Sequence, residues 1–299
     1  MINEINYFLL KFFVLCIEHI PRRIGLKIFG FIGYVWYIVD KKRKKKALKN
    51  ITTKLDKTIT RAEANKLIKQ NFAHFCQSMF ELLWSNCINH NNFDKWFVVE
   101  GKDIINQIKE NKQGCIFITS HFGIWELLIP FLEEEEIKWN SVYQPIKPAI
   151  FDRFMKEKRL RFKTGNLFPI NKALNGIINA LKNNEAVGLV IDKRVPAEKG
   201  VVVNFFGSRI IVNKNIVKLA LQSKVPIIPF FLVRQTNNYR VIIKPEIKIE
   251  KTGDEINDIE VTAQKFFSVI EDIIREYPEQ FPWFYNRWKP LPYCKLPKK

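Results

Sequence analysis

The sequence predicts an α/β protein: a mixed, mostly parallel sheet flanked by helices, preceded by an N-terminal helical segment that associates with a membrane. Three observations carry that prediction. Two short runs, Cys115 to Thr119 and Val187 to Ile191, offer almost nothing polar on either face, as strands of a sheet covered on both sides do. Strand-like runs alternate with stretches of helical spacing, and no internal repeat or low-complexity linker divides them. Two apolar runs near the N-terminus end at the basic cluster Lys41-Lys42-Arg43-Lys44-Lys45-Lys46. Residues 1–46 are therefore expected to form the membrane-associated segment and residues 47–299 the α/β domain. With 299 residues, 47% of them hydrophobic, the chain can bury a large core.

The two apolar runs cover residues 7–17 and 24–39, separated by Pro21-Arg22-Arg23. Each is shorter than the ~20 residues a membrane-crossing helix needs, and each contains a lysine, Lys11 or Lys27. No small-residue cleavage site follows the first, so a secretory signal does not fit. The pattern suits two helices lying in or dipping into one leaflet; a buried helical hairpin with a solvated basic turn is the other reading. A basic cluster beside such helices gains about 1 kcal/mol per charge from an anionic leaflet and belongs on the cytoplasmic side.

Lys and Arg number 49 against 30 Asp and Glu, a net +19 that draws the chain to anionic surfaces. Nucleic acid, an anionic membrane and an acidic carrier protein all qualify by charge. No zinc-finger, RNP or helix-turn-helix signature supports nucleic acid, which is not an expected partner. The five cysteines are scattered without metal-like spacing, which suits a reduced compartment and no metal centre.

Thr60-Arg61-Ala62-Glu63 reads as a capping box opening a long helix with Ile68, Phe72, Phe80 and Leu83 on its apolar side. His74 falls among core spacings there, and His19 and His90 lie in turns. A strand follows from Val98, then a helix over 103–111, the strand Cys115 to Thr119 and a helix after it. Next come a strand over 138–143, a helix with a basic face over 151–162, a helix over 174–183 and the strand Val187 to Ile191. A helix over 215–222 precedes a strand over 225–234, which pairs with 239–243 across Asn237-Asn238. A last amphipathic helix covers 259–277. An aromatic tail runs to Lys289, and Lys295 to Lys299 are expected to be mobile.

Chemistry concentrates at Ser120-His121-Phe122-Gly123-Ile124-Trp125-Glu126. In a sheet of this kind ligand sites lie beyond the carboxyl ends of the strands, and His121 stands at such an end. Residues five apart on one helix point about 140° away from each other, so His121 must precede the helix to meet Glu126. Gly123 allows the tight turn that folds the imidazole back toward that carboxylate. Such a pair can take a proton from an alcohol. The plain alternative is a turn histidine and a solvated glutamate.

His-x-x-x-x-Glu after an apolar strand resembles the signature of the lysophospholipid-acyltransferase-like superfamily, and Phe-Gly-x-Trp-Glu resembles the late acyltransferases of lipid A biosynthesis. Ala47-Leu48-Lys49-Asn50-Ile51 also resembles that family's N-terminal region. Tyr143-Gln144-Pro145 stands where the family often has Tyr-Arg-Pro, Arg153 matches a usual arginine, and Asp192 matches the acid at the end of the second buried strand. Phe205-Phe206-Gly207, the strand ending at Arg234, and Pro278-Glu279-Gln280 through Arg287-Trp288 resemble later family blocks. The resemblance implies acyl transfer from an acyl carrier protein to a hydroxyl of a lipid A precursor at the inner membrane. It makes His121 the base and Glu126 its orienting carboxylate. Backbone amides near Gly123, or Arg153, would stabilise the oxyanion, and Asp192, Phe206, Gly207 and Arg234 would contact substrate. For the phenylalanines ordinary core packing stays open, and for the basic helix a solvated face. No cofactor is expected. Glutamate rather than aspartate in the motif, and no Phe-Pro-Glu-Gly-Thr-like block, favour the lipid A branch over glycerolipid acyltransferases. Transfer to another glycolipid or phospholipid, or a catalytically silent binding protein, are the alternatives.

Overall fold

A computed structural model describes residues 2–161, 164–249 and 251–288; the expectation for Lys295 to Lys299 lies outside them. Helices α1 (Ile2–Glu18) and α2 (Arg22–Val39) form the N-terminal hairpin, and the basic cluster opens α3 (Lys41–Asn50). Asp40 caps α3 by accepting the backbone N–H of Arg43 at 2.8 Å. The capping box of Thr60 and Glu63 is formed at the start of α4 (Arg61–Trp84). Then follow α5 (Phe93–Trp96), β1 (Phe97–Glu100), α6 (Lys102–Asn111), β2 (Cys115–Thr119), α7 (Leu128–Glu134) and β3 (Trp139–Tyr143). Next are α8 (Ala149–Arg159), β4 (Asn166–Pro169), α9 (Ala173–Lys182) and β5 (Ala186–Val190). The chain continues through β6 (Gly200–Phe205), β7 (Ser208–Asn213), α10 (Lys214–Ser223), β8 (Ile227–Arg234), β9 (Tyr239–Ile243) and α11 (Glu255–Glu276).

Seven strands form one sheet in the order β1-β9-β8-β2-β5-β3-β4. Its pairings are parallel except β8 with β9, where the Asn237-Asn238 turn reverses the chain. Strand β2 shows why its sequence is apolar throughout. Ile116 and Ile118 enter a core shared with α9, α10 and α11, while Cys115 and Phe117 enter another shared with α6 and α7. Strands β6 and β7 form a separate hairpin. Its two-residue turn, Phe206-Gly207, has φ of 53° and 65°, the twist such hairpins require.

Helix α2 lies close against α4 because glycines face it. A Cβ at Gly33 would stand 2.5 Å from the Phe72 carbonyl oxygen, and one at Gly25 would overlap the Phe80 ring. Ile24, Ile28, Phe31, Ile32, Val35 and Val39 consequently point outward, and α1 likewise exposes Phe8, Leu9, Phe12 and Phe13. Among the described residues no helix is long and apolar enough to cross a membrane.

A buried charge cluster ties this hairpin to the sheet. Glu81, wholly buried, accepts from Arg22 Nη2 (2.6 Å), Arg234 Nε (2.6 Å) and the Tyr239 hydroxyl (3.0 Å). Arg234 also donates to Ser78 Oγ (2.8 Å), Gln77 Oε1 (2.9 Å) and His74 Nδ1 (2.7 Å). Burial, and then the Arg234 charge, push the His74 pKa well below its ordinary value, so its ring accepts as a neutral base. Arg234, expected at the substrate, is thus placed as a clamp between β8 and α4. Glu81→Ala leaves two guanidinium groups buried without their anion. It should cost about 3–5 kcal/mol of unfolding free energy, read from urea denaturation.

Candidate active site

Strands β2 and β5 are parallel neighbours with Thr119 opposite Val190, and two residues beyond each stand His121 and Asp192. The register therefore places imidazole and carboxylate side by side at the carboxyl edge of the sheet. His121 Nδ1 donates to Asp192 Oδ1 at 2.6 Å. Asp192 Oδ2 accepts from Arg287 Nε (3.1 Å) and Nη2 (2.5 Å). An ionised carboxylate only accepts, so Nδ1 carries the proton and Nε2 keeps its lone pair. Burial alone would raise the Asp192 pKa. The Arg287 charge, and the hydrogen bonds from Arg287 and His121, outweigh that and hold the carboxyl well below the usual carboxylate range. The imidazole remains partly exposed and lies edge-on to Trp125, with ring centroids 5.1 Å apart.

This arrangement corrects the expected partner of His121. Both oxygens of Glu126 are taken by Arg159, with Nε to Oε2 at 2.9 Å and Nη2 to Oε1. A single turn of 3-10 helix, Trp125–Leu127, carries Glu126 toward the end of α8 instead of back toward the imidazole. Gly123 is required for a different reason than a free amide. Its φ is +58°, and a Cβ there would stand 1.8 Å from the Leu232 carbonyl oxygen. The backbone N–H groups of Phe122, Gly123 and Ile124 donate to the carbonyls of Ser120 (2.7 Å), Gln280 (3.0 Å) and Leu232 (3.3 Å). None of the three is free for an oxyanion.

Arg153 is also placed elsewhere. It donates to both oxygens of Glu4 (2.8 and 3.0 Å) and to Glu157 (3.2 Å), and it lies over the Tyr7 ring. The basic face of α8 is in fact paired, for Lys156 meets Asp152 and Lys158 meets Glu18. Phe206, expected at the substrate, is buried against Trp283 and Trp288, while Gly207 turns the hairpin at an exposed position. The aromatic tail covers the sheet, with Phe281, Trp283 and Phe284 buried. Sequence reasoning missed Arg159 and Arg287. The equal offset of His121 and Asp192 from two buried strands was the available signal for their pairing.

His121, Trp125, Glu126 and Arg159 line a cavity of about 1040 Å³. Lys193 lies at it too, donating to Gln144 Oε1 at 3.3 Å. Much of the remaining wall is apolar, including Leu174, Ile177 and Ile178 of α9, Ile216 and Leu219 of α10, and Leu128 and Ile129 of α7. A volume of this size accommodates a small molecule or a lipid chain. The His121 imidazole and the half-buried Arg159 guanidinium share one mostly apolar cleft, which suits proton removal from a neutral nucleophile. Among the described residues no cluster of three His, Cys, Asp or Glu side chains is placed to hold a metal ion.

The family model described as bacterial lipid A biosynthesis acyltransferase matches residues 1–290. The chain is 26% identical over 233 residues to the lipid A biosynthesis lauroyltransferase of Escherichia coli, covering 77% of this chain and 74% of that protein. It is 23% identical over 274 residues to the lipid A biosynthesis acyltransferase of Haemophilus influenzae, covering 91% and 84%. It is 25% identical over 235 residues to the lipid A biosynthesis palmitoleoyltransferase of Escherichia coli, covering 77% and 74%.

Asp192→Asn leaves Arg287 buried without its anion and should lower stability at neutral pH by about 3–5 kcal/mol. The folded pKa of Asp192 lies below the unfolded one, so the unfolded chain binds more protons in acid. Its contribution is complete above the unfolded value of about 3.9 and is lost as pH falls through the lower folded value. Urea midpoints measured from neutral pH into that acid window should fall less steeply in D192N than in the wild type.

Proposed function

The chain belongs to the bacterial lipid A biosynthesis acyltransferase family, and on that premise we propose that it moves a fatty acyl group from an acyl carrier protein thioester to a hydroxyl of a lipid A precursor. The observation that carries this reading is the His121–Asp192 pair opening onto a large, mostly apolar cavity. Nε2 of His121 takes the acceptor's proton as its oxygen attacks the thioester carbonyl, and Asp192 stabilises the imidazolium that forms. The tetrahedral intermediate collapses by breaking the carbon–sulfur bond. The departing thiolate takes the proton from the imidazolium, and ester and thiol are the products. Arg159 is the guanidinium in the cleft that we assign to the oxygen that becomes negative, with Glu126 holding it in place. Lys193, at the same cavity, suits a phosphate of donor or acceptor.

The same reading puts the protein at the cytoplasmic face of the inner membrane, attached peripherally through residues 1–46. What supports this is the outward apolar side of α1 and α2, continuous in sequence with the basic cluster of α3. The net charge of +19 also suits an acidic carrier protein as acyl donor.

Replacing His121 by Ala should lower kcat by about 10²–10⁴-fold with the fold retained by circular dichroism. Lipids from cells carrying only H121A should lack one acyl group by mass spectrometry; unchanged acylation would sink the proposal. Changing Lys41, Lys42, Lys45 and Lys46 to Gln should weaken partition onto anionic vesicles by about 1 kcal/mol per charge, and less at high salt. Sedimentation with vesicles measures it, and equal binding of both proteins would speak against the attachment.

A further inference from the structure

We infer that Arg287 is a positioning residue for the acid–base pair, acting through Asp192, so that the segment 278–288 belongs to the catalytic assembly. Both of its hydrogen bonds to the carboxylate fall on Oδ2, while the imidazole bonds Oδ1. The guanidinium has little freedom of its own. Nη1 donates to the Pro282 carbonyl (3.3 Å), and the group lies over the rings of Phe281 (4.3 Å) and Tyr285 (5.1 Å).

The segment that holds it is pinned from several sides. Asn50 Nδ2 donates to the Trp283 carbonyl (2.7 Å), Asn71 Nδ2 to that of Glu279 (3.1 Å), and Trp288 Nε1 to that of Phe205 (3.1 Å). The Gln280 carbonyl accepts the Gly123 N–H inside the histidine turn itself. The tail therefore touches the site twice, once behind the carboxylate and once in the turn that presents the base.

Charge gives this contact a readable consequence. Neutral imidazole, carboxylate and guanidinium sum to zero, and without Arg287 the pair is left with a net negative charge. Around the pair stand Arg287 and Tyr285 from the tail and Trp125 from the turn, with Glu126, Arg159 and Lys193 at the cavity. Removing the guanidinium bonded to Asp192 makes the pair take up its proton at higher pH. Losing only the fork, with charge kept, loosens the geometry instead.

The test uses full-length R287Q and R287K in detergent, with His121 followed by NMR pH titration and assigned by comparison with H121Q. In R287Q the His121 midpoint should move to higher pH than in the wild type. In R287K it should stay near the wild-type value. Both variants should lose about 10- to 100-fold in kcat with KM little changed, as a misplaced base does. A purely structural arginine would move thermal stability without moving the titration, so an unshifted R287Q midpoint overturns the inference. Should R287Q not fold, R287K with wild-type kcat overturns it. The kinetic arm rests on the acyl-transfer reading, while the titration needs no substrate. A wild-type protein that transfers nothing would remove that reading and leave the titration to decide.

Discussion

The parallel pairing of β2 with β5, Thr119 opposite Val190, is the constraint on which the site depends. A slip of one residue would turn every side chain of one strand to the other face and send its apolar residues out of their cores. The register is therefore held by burial on both sides of the sheet. That burial fixes where each chain leaves the sheet, and the two exits put His121 and Asp192 2.6 Å apart without any local sequence motif linking them. Hydrophobic packing sets the geometry, and the electrostatics follow from it. A carboxylate taken out of water next to an imidazole and a guanidinium stays ionised because those partners outweigh its desolvation.

The fold was largely legible because its signals are local. Thr60 and Glu63 announce a helix start, Asn237-Asn238 announces a reversal, and all-apolar runs such as Cys115 to Thr119 announce strands covered on both faces. Strand β4 was not foreseen, since four residues at the sheet edge carry too short a pattern to read. The site was legible only by position. His121 could be found from its place after a strand, but its partner lies 71 residues away in sequence, and spacing along one helix pointed to Glu126 instead. The surroundings of three other expected residues were hidden for the same reason. Arg153, Phe206 and Arg234 are chemically suited to substrate, and only the three-dimensional structure reveals that Glu4, Trp283 and Glu81 have already engaged them.

The N-terminal hairpin shows how one helix serves two surroundings. Glycines on α2 let the backbone approach α4, and the bulky residues are left for the opposite side. Arg22, at the first position of α2, reaches through to Glu81 and to Tyr239 at the start of β9. The apolar outer surface is thus rigidly coupled to the sheet that carries the site. Its orientation on any surface it meets would also orient the cleft.

Arg287 has a consequence for the order in which the protein becomes functional. Synthesis runs from the N-terminus, and the earlier parts of a chain collapse first. His121, the sheet and the cavity are all made before the counter-ion of Asp192 exists. A chain ending between β9 and residue 287 would keep the whole histidine motif and Asp192 and lack the guanidinium that bonds the carboxylate. In this molecule the histidine motif alone does not complete the set of partners around Asp192; the tail supplies the last of them.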